Sequence, residues 1–192
     1  APNSYQVANA LDGRILTPDT TKGFDISANY KDIAITYFSN VITDKLAYDF
    51  TSYGYINNTG KEKASGMEIS ASHTFTAIDM MISSNYTHLF NDKDESNQNL
   101  DKRAMDTLNL SLDKYTDNNI HYGISGQYIG DREEFGQSTG NYTLWNLNFG
   151  TKIMKNIELN IHAKNIFNKE YQSVYGYATE GRSLYAKMKY SF

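Results

Sequence analysis

The 192-residue chain has no cysteine. That excludes a disulfide framework and any thiolate metal or redox centre. Long apolar runs are missing too. No stretch approaches the roughly 20 apolar residues of a membrane-spanning helix, although a membrane-spanning strand need not show as such a run. There is no basic block: the net charge is -4, with acidic and basic residues dispersed, which argues against a nucleic-acid partner. No secretory leader precedes Ala1. Either one was removed, or the chain begins inside a longer protein. His73, His88, His121 and His162 are scattered over separate segments, and no His-x-x-x-His pair or Gly-x-Ser-x-Gly elbow occurs. The sequence therefore points away from an enzyme, with no catalytic residue, cofactor or metal site.

What is present is aromatic. Sixteen tyrosines and nine phenylalanines lie on a chain with only two prolines. Many rings on an otherwise polar chain suit a β-barrel with a wet interior and aromatic girdles. A Tyr-rich secreted β-sandwich has a similar composition, so patterning must decide.

The pattern has period two, which puts alternate side chains on opposite faces of a strand. In the last twelve residues, Gly181–Phe192, Leu184, Ala186, Met188, Tyr190 and Phe192 alternate with Ser183, Tyr185, Lys187, Lys189 and Ser191. Upstream, Ile157 to Phe167, Trp145 to Ile153, Ile120 to Tyr128, Leu108 to Leu112, Ile78 to Tyr86 and Met67 to Phe75 repeat the alternation. Ile33 to Tyr37 and Phe24 to Tyr30 complete nine segments. The Met67 segment extends upstream through Tyr53, Tyr55 and Asn57. A tilted barrel strand needs about 9–11 residues, and most segments reach that.

The connections alternate as well. Short turns fall at Lys31-Asp32, Thr76-Ala77, Asp117-Asn118 and Lys155-Asn156. Polar loops cover Thr43–Ser52, Asn91–Lys102, Asp131–Asn141 and Asn168–Glu180. This is the rhythm of periplasmic turns and extracellular loops, and Greek-key connections of a sandwich would break it. The expected fold is all-β, a transmembrane antiparallel barrel. If the last strand descends to the periplasm, so does the first, and the count is odd. Bacterial single-chain barrels have even counts, and an open sheet would expose two edges to lipid. Further strands are therefore expected upstream or on another chain.

Several loop residues could meet a ligand. Tyr171, Tyr175 and Tyr177 crowd the last long loop, where each is either a ligand contact or part of the outer aromatic girdle. Arg103 opens a descending strand, placed to meet a substrate amide or phosphate or to pair with Asp101 or Asp106. Arg132 stands similarly at the top of the next strand. Asp92, Asp94 and Glu95 offer hard oxygens for calcium, but loop acidity serves solubility more often, and no metal site is assigned.

The run Asn165-Ile166-Phe167-Asn168-Lys169-Glu170-Tyr171, with Gly176-Tyr177, Gly181-Arg182 and the terminal Tyr190-Ser191-Phe192, resembles the C-terminal end of TonB-dependent outer-membrane receptors. The stretch Tyr55–Glu68, with Asn57, Gly60, Gly66 and Glu68, resembles another family landmark. So does Ala1-Pro2-Asn3 followed by Leu16-Thr17-Pro18-Asp19. Within the family, Tyr171–Arg182 and Gly126–Arg132 are most similar to receptors for cobalamin.

The resemblance implies a 22-stranded plugged barrel, of which residues 1–192 would be the C-terminal portion, strands 14 to 22. It implies uptake of a large scarce nutrient, a corrinoid first and an iron chelate (ferric siderophore) as the alternative; a passive porin-like or structural barrel is the reading from another class. It also implies partners: TonB through a missing N-terminal segment, outer-membrane lipid, and the upstream strands and plug of the same receptor. Tyr177 and Arg103 would help line the ligand site, and Phe192 would be the barrel-assembly signal. The missing-strand expectation has a direct check. The intact mass of the native polypeptide should exceed that of these 192 residues or be accompanied by a companion chain; neither being found would overturn it.

Overall fold

The computed structural model describes residues 1–13, 15–94, 103–116, 119–134 and 136–192. The expected turn Asp117-Asn118 and the loop residues Glu95 and Asp101 lie outside the described residues. Among the described residues, nine strands form one antiparallel sheet. They are β1 Thr20–Tyr30, β2 Ile33–Asp49, β3 Gly54–Phe75, β4 Met80–Lys93, β5 Asp106–Tyr115, β6 Ile120–Ile129, β9 Tyr142–Met154, β10 Ile157–Lys164 and β11 Ser183–Tyr190. A separate two-stranded hairpin, β7 Glu133–Glu134 and β8 Gln137–Ser138, stands between β6 and β9. The order β1-β2-β3-β4-β5-β6-β9-β10-β11 follows the chain without a crossover, and β1 and β11 are its two ends.

The chain divides into two compact units. One comprises Ser27–Thr36, Met67–His88 and Asp101–Phe192. In it, register sorts side chains by chemistry. Ile82, Leu112, Ile124, Leu147, Ala163 and Leu184 stand side by side across six strands. One residue along, on the opposite face, stand Ser83, Ser111, Ser125 and Asn146. The apolar row is substantially exposed, with Leu112 at 38% and Leu184 at 72%. Among the described residues the only buried hydrophobic side chains are Leu16 and Tyr142, whereas Asp92, Glu134 and Asn165 are buried polar residues. Leaving a large apolar side chain in water forgoes about 1.5–3 kcal/mol relative to burial. Repeated over such a face, that cost exceeds the stability of an ordinary domain, so the face requires hydrocarbon.

The opposite face is wetted and internally hydrogen-bonded. The Ser83 and Ser111 hydroxyls lie 2.8 Å apart, and Gln127 donates to Asn109 at 3.1 Å. Further along, Asp113 Oδ1 lies 3.0 Å from His121 Nε2, and Asn148 reaches both. Gly123 sits between Asp113 and Asn148, and a Cβ there would run into both side-chain oxygens. Glycine is what lets the polar pair meet.

Aromatic residues mark the strand ends. Tyr30, Phe75, Tyr115, Tyr190 and Phe192 lie where the short turns and the C-terminus are. Tyr115 stacks on His121 at 4.6 Å and Tyr190 meets Phe192 edge-on at 5.1 Å. Lys31 and Asp79 take left-handed conformations at two of the short turns.

The other unit comprises Ala1–Ile26, Tyr37–Gly66 and Leu89–Leu100. Here Tyr37 contacts Phe24 and Phe90, at 6.0 and 6.3 Å between ring centroids. The expected loop Thr43–Ser52 is mostly strand: β2 has 17 residues and β3 has 22. At roughly 3.3 Å per residue, β2 spans about 55 Å, well beyond a bilayer core. Residues 43–49 continue the strand without a regular apolar–polar alternation, which makes them look like a loop. Tyr53, expected in the strand, lies in the turn with φ +55°. The preceding segment straps onto this hairpin. Thr17 N–H donates to Asn57 Oδ1 at 2.8 Å, and Asn57 Nδ2 donates to Thr17 O at 2.8 Å and Asp44 O at 2.6 Å. Tyr55 N–H donates to Asn9 O at 2.9 Å.

Two further boundaries differ from expectation. Ile78 falls in a 3₁₀ turn, Thr76–Ile78, ahead of β4. Phe167, expected to continue β10, lies in the loop and is 73% exposed. Asn165, with φ +48°, ends the strand. It is 4% exposed, and its side chain both donates to Lys169 O and accepts from Lys169 N–H.

The sidedness has a measurable consequence. Leu112→Arg, in the apolar row, should cost the full-length protein about 2–4 kcal/mol in urea unfolding from lipid vesicles. Ser111→Arg, one residue away on the wet face, should cost within about 0.5 kcal/mol. Equal costs would contradict the assignment of faces.

Candidate ligand-binding loops

Two long connections, 130–141 and 165–182, come together in the structure. The first is built around the β7–β8 hairpin. Gly136 occupies its turn at φ +71°, a left-handed conformation that disfavours a side chain. Asp131 closes the base by accepting from Arg132 N–H at 2.9 Å and from the Ser138 hydroxyl at 2.6 Å. Thr139 N–H donates to Arg132 O at 2.9 Å. The second connection is pinned at its foot by Asn165 and by Asn168, whose Oδ1 accepts from Arg182 N–H at 2.9 Å. Within it, Gln172 Oε1 accepts from Gly176 N–H at 2.9 Å and the Thr179 hydroxyl donates to Tyr171 O at 2.6 Å. The Tyr185 hydroxyl donates to Glu180, which holds that carboxyl below its usual 4.5. A depressed value means this tie is present above about pH 4.5 and is lost as pH falls through the lowered value.

Arg132 joins the two connections. Its Nη2 donates to Gln172 O at 3.0 Å and approaches the Tyr142 hydroxyl at 3.4 Å, while the guanidinium stands 5.6 Å from the Tyr142 ring centroid. Tyr142 in turn packs against Tyr171, with centroids 4.6 Å apart. Glu134, 3% exposed, accepts from Tyr175 N–H at 2.9 Å. Beside these contacts lies an open cleft of about 820 Å³, bordered by Thr139, Lys169, Tyr171, Gln172, Tyr175 and Thr179 among others.

Of the residues singled out in the sequence, Arg132, Tyr171 and Tyr175 are thus brought together. Tyr177 lies in the same loop and is 69% exposed. Arg103 lies in the short lead into β5. One of its expected partners, Asp106, is engaged by Tyr86 at 2.6 Å and His88 at 2.7 Å. Phe192 is fully exposed at the end of the last strand. Glu134, Tyr142 and Gln172 were not singled out. Tyr142 begins an alternating strand and could have been noticed, but nothing local marks Glu134 or Gln172.

An antiparallel sheet with a lipid-seeking face, a hydrogen-bonded polar face and long loops at one end only defines the class: a bacterial outer-membrane β-barrel protein. The family model for the β-barrel of TonB-dependent receptor-like proteins matches residues 1–166. The chain belongs to the TonB-dependent receptor β-barrel family, a family of the bacterial outer membrane.

Solved structures share the fold. The ferripyoverdine receptor of the outer membrane of Pseudomonas aeruginosa, bound to ferripyoverdine, is 18% identical with a TM-score of 0.73, over 96% of this chain and 29% of that one. An iron transporter from Neisseria meningitidis is 19% identical with a TM-score of 0.70, over 96% and 33%. A ferric enterobactin receptor from Pseudomonas aeruginosa, in complex with enterobactin, is 19% identical with a TM-score of 0.72, over 91% and 31%. The chain spans about a third or less of these structures.

The loop contacts can be tested directly. Arg132→Ala removes the bond to Gln172 and the cation over Tyr142. Trypsin cleavage at Lys169 in the full receptor should then rise several-fold, with Arg132→Lys intermediate because an ammonium lacks the planar fork. Unchanged cleavage would show that Arg132 does not hold the loop.

Proposed function

We propose that the chain is the C-terminal portion of a plugged 22-stranded barrel, strands 14 to 22, in a receptor that imports a large scarce nutrient. The observation that carries this is the pair of faces: one suited to hydrocarbon, the other a polar wall suited to a hydrated plug. The ends β1 and β11 favour the same reading, since in lipid each needs a further strand. On this reading, energy reaches the receptor through TonB, which grips a segment outside these residues. The loops do the recognising. The chain's own part is to bind and orient the nutrient above the plug.

The ligand we propose is a corrinoid. The two joined loops carry five carboxylates, Asp131, Glu133, Glu134, Glu170 and Glu180, against three cations, Arg132, Lys169 and Arg182. Arg132 is already committed to Gln172 and Tyr142. A polyanionic chelate asks for several converging cations, which these loops do not supply. A large neutral-to-zwitterionic ligand asks instead for ring area and hydroxyls, which Tyr171, Tyr175 and Tyr177 offer at low entropy cost. Arg103 would add a donor from the neighbouring rim. The similarity of Tyr171–Arg182 to cobalamin receptors agrees with this. A ferric siderophore is the second reading, favoured by the solved relatives that bind ferripyoverdine or enterobactin.

Titration of the full receptor distinguishes the two. Cyanocobalamin should bind in the nanomolar range, ferric enterobactin should not, and Tyr177→Ala should weaken cobalamin about tenfold, near 1.4 kcal/mol. Ferric-chelate binding without cobalamin binding would overturn the corrinoid assignment.

A further inference from the structure

We propose that Glu134 is a positioning residue that latches the 165–182 loop onto the β7–β8 hairpin, so that the two loops act as one preorganised body. The proposal rests on the reading that these loops face the ligand.

A carboxylate at 3% exposure is costly unless donors surround it. Glu134 meets that need across 41 residues of sequence, by accepting the backbone N–H of Tyr175. Its location makes the bond consequential. Glu134 pairs with Gln137 at the tip of the hairpin, while Tyr175 lies in the middle of an 18-residue connection with no strand of its own. Loops of that length are ordered only when something anchors them. The ties inside the loop run between its own residues: Asn165 to Lys169, Gln172 to Gly176, Thr179 to Tyr171 and Asn168 to Arg182. They fold the loop on itself. Near its ends the loop is held by Asn165 N–H to Asn146 Oδ1, by Ile166 N–H to Trp145 O and by the Tyr185 hydroxyl to Glu180. At its middle, the bonds of Glu134 and Arg132 tie it toward the hairpin, supported by the Tyr142–Tyr171 ring contact at the root of β9.

The support is itself hydrogen-bonded. Asp131 and Thr139 close the base of the hairpin, and Glu133 and Glu134 pair with Ser138 and Gln137. A latch onto a floppy hairpin would position nothing; a latch onto this one fixes the Tyr175 backbone and, through Tyr142, the Tyr171 ring. Fixing them before the ligand arrives removes an ordering cost from binding. Glu134 need not touch the ligand for this. It acts through the backbone of Tyr175.

These residues contain no cysteine to compete for label, and any cysteine elsewhere in the full protein is first replaced by serine. In the full receptor, Gln137→Cys and Ser173→Cys, both exposed, take spin labels on either side of the latch. The distance distribution should be narrow in the parent and with Glu134→Gln, which keeps an acceptor oxygen, and broad with Glu134→Ala. A distribution as narrow in Glu134→Ala as in the parent would overturn the latch. Cyanocobalamin affinity should fall about tenfold with Glu134→Ala and recover with Glu134→Gln; unchanged affinity despite a broadened distribution would overturn the positioning role. Failure of the unaltered receptor to bind cobalamin would overturn the ligand assignment alone, because the distance measurement decides the latch without any ligand.

Discussion

Backbone hydrogen bonding in hydrocarbon is the constraint on which the rest depends. Within a bilayer no water satisfies an exposed N–H or C=O, so a spanning chain must pair every one internally. A sheet does this only through its neighbours, which is why the nine strands of the sheet are paired in chain order, with only the separate β7–β8 hairpin intervening between β6 and β9. The burial pattern follows from the same constraint. Once the backbone is satisfied, side chains are free to face hydrocarbon on one side and water on the other. The rows of Ile82 to Leu184 and of Ser83 to Asn146 are the two results.

Outside the sheet other interactions take over. The 165–182 loop has no regular pairing. In the loop, side chains take over the work of the ladder: Asn165, Asn168, Gln172 and Glu134 each accept from a backbone N–H. The 165–182 loop is therefore held by side-chain acceptors where the sheet uses its ladder. Such a surface can vary in shape from one receptor to another over an unchanged scaffold.

The sheet was legible in the sequence because lipid imposes alternation over many residues. Leu108, Leu110 and Leu112 declare their strand unaided. Legibility failed where that pressure ended. Residues 43–49 belong to β2 but carry no regular alternation, so nothing marks them as strand. Phe167 keeps the apolar rhythm for one more step after Asn165 has already turned the chain. The loop cluster was half legible. Tyrosines near a loop announce themselves by type, and Arg132 by charge, but Glu134 sits among other acidic residues. Only its partner, 41 residues later in the chain, makes it different from Glu133.

The Asn57 side chain carries a consequence of another kind. Its amide bonds Thr17 through both N–H and C=O, as a neighbouring peptide unit would, and also holds Asp44. The chain entering β1 is thus registered against β3 at a fixed point just before the strand begins. A second tie, Asn9 O accepting from Tyr55 N–H at 2.9 Å, repeats this registration eight residues earlier. A slip of β1 by one residue therefore has two ties to break rather than one.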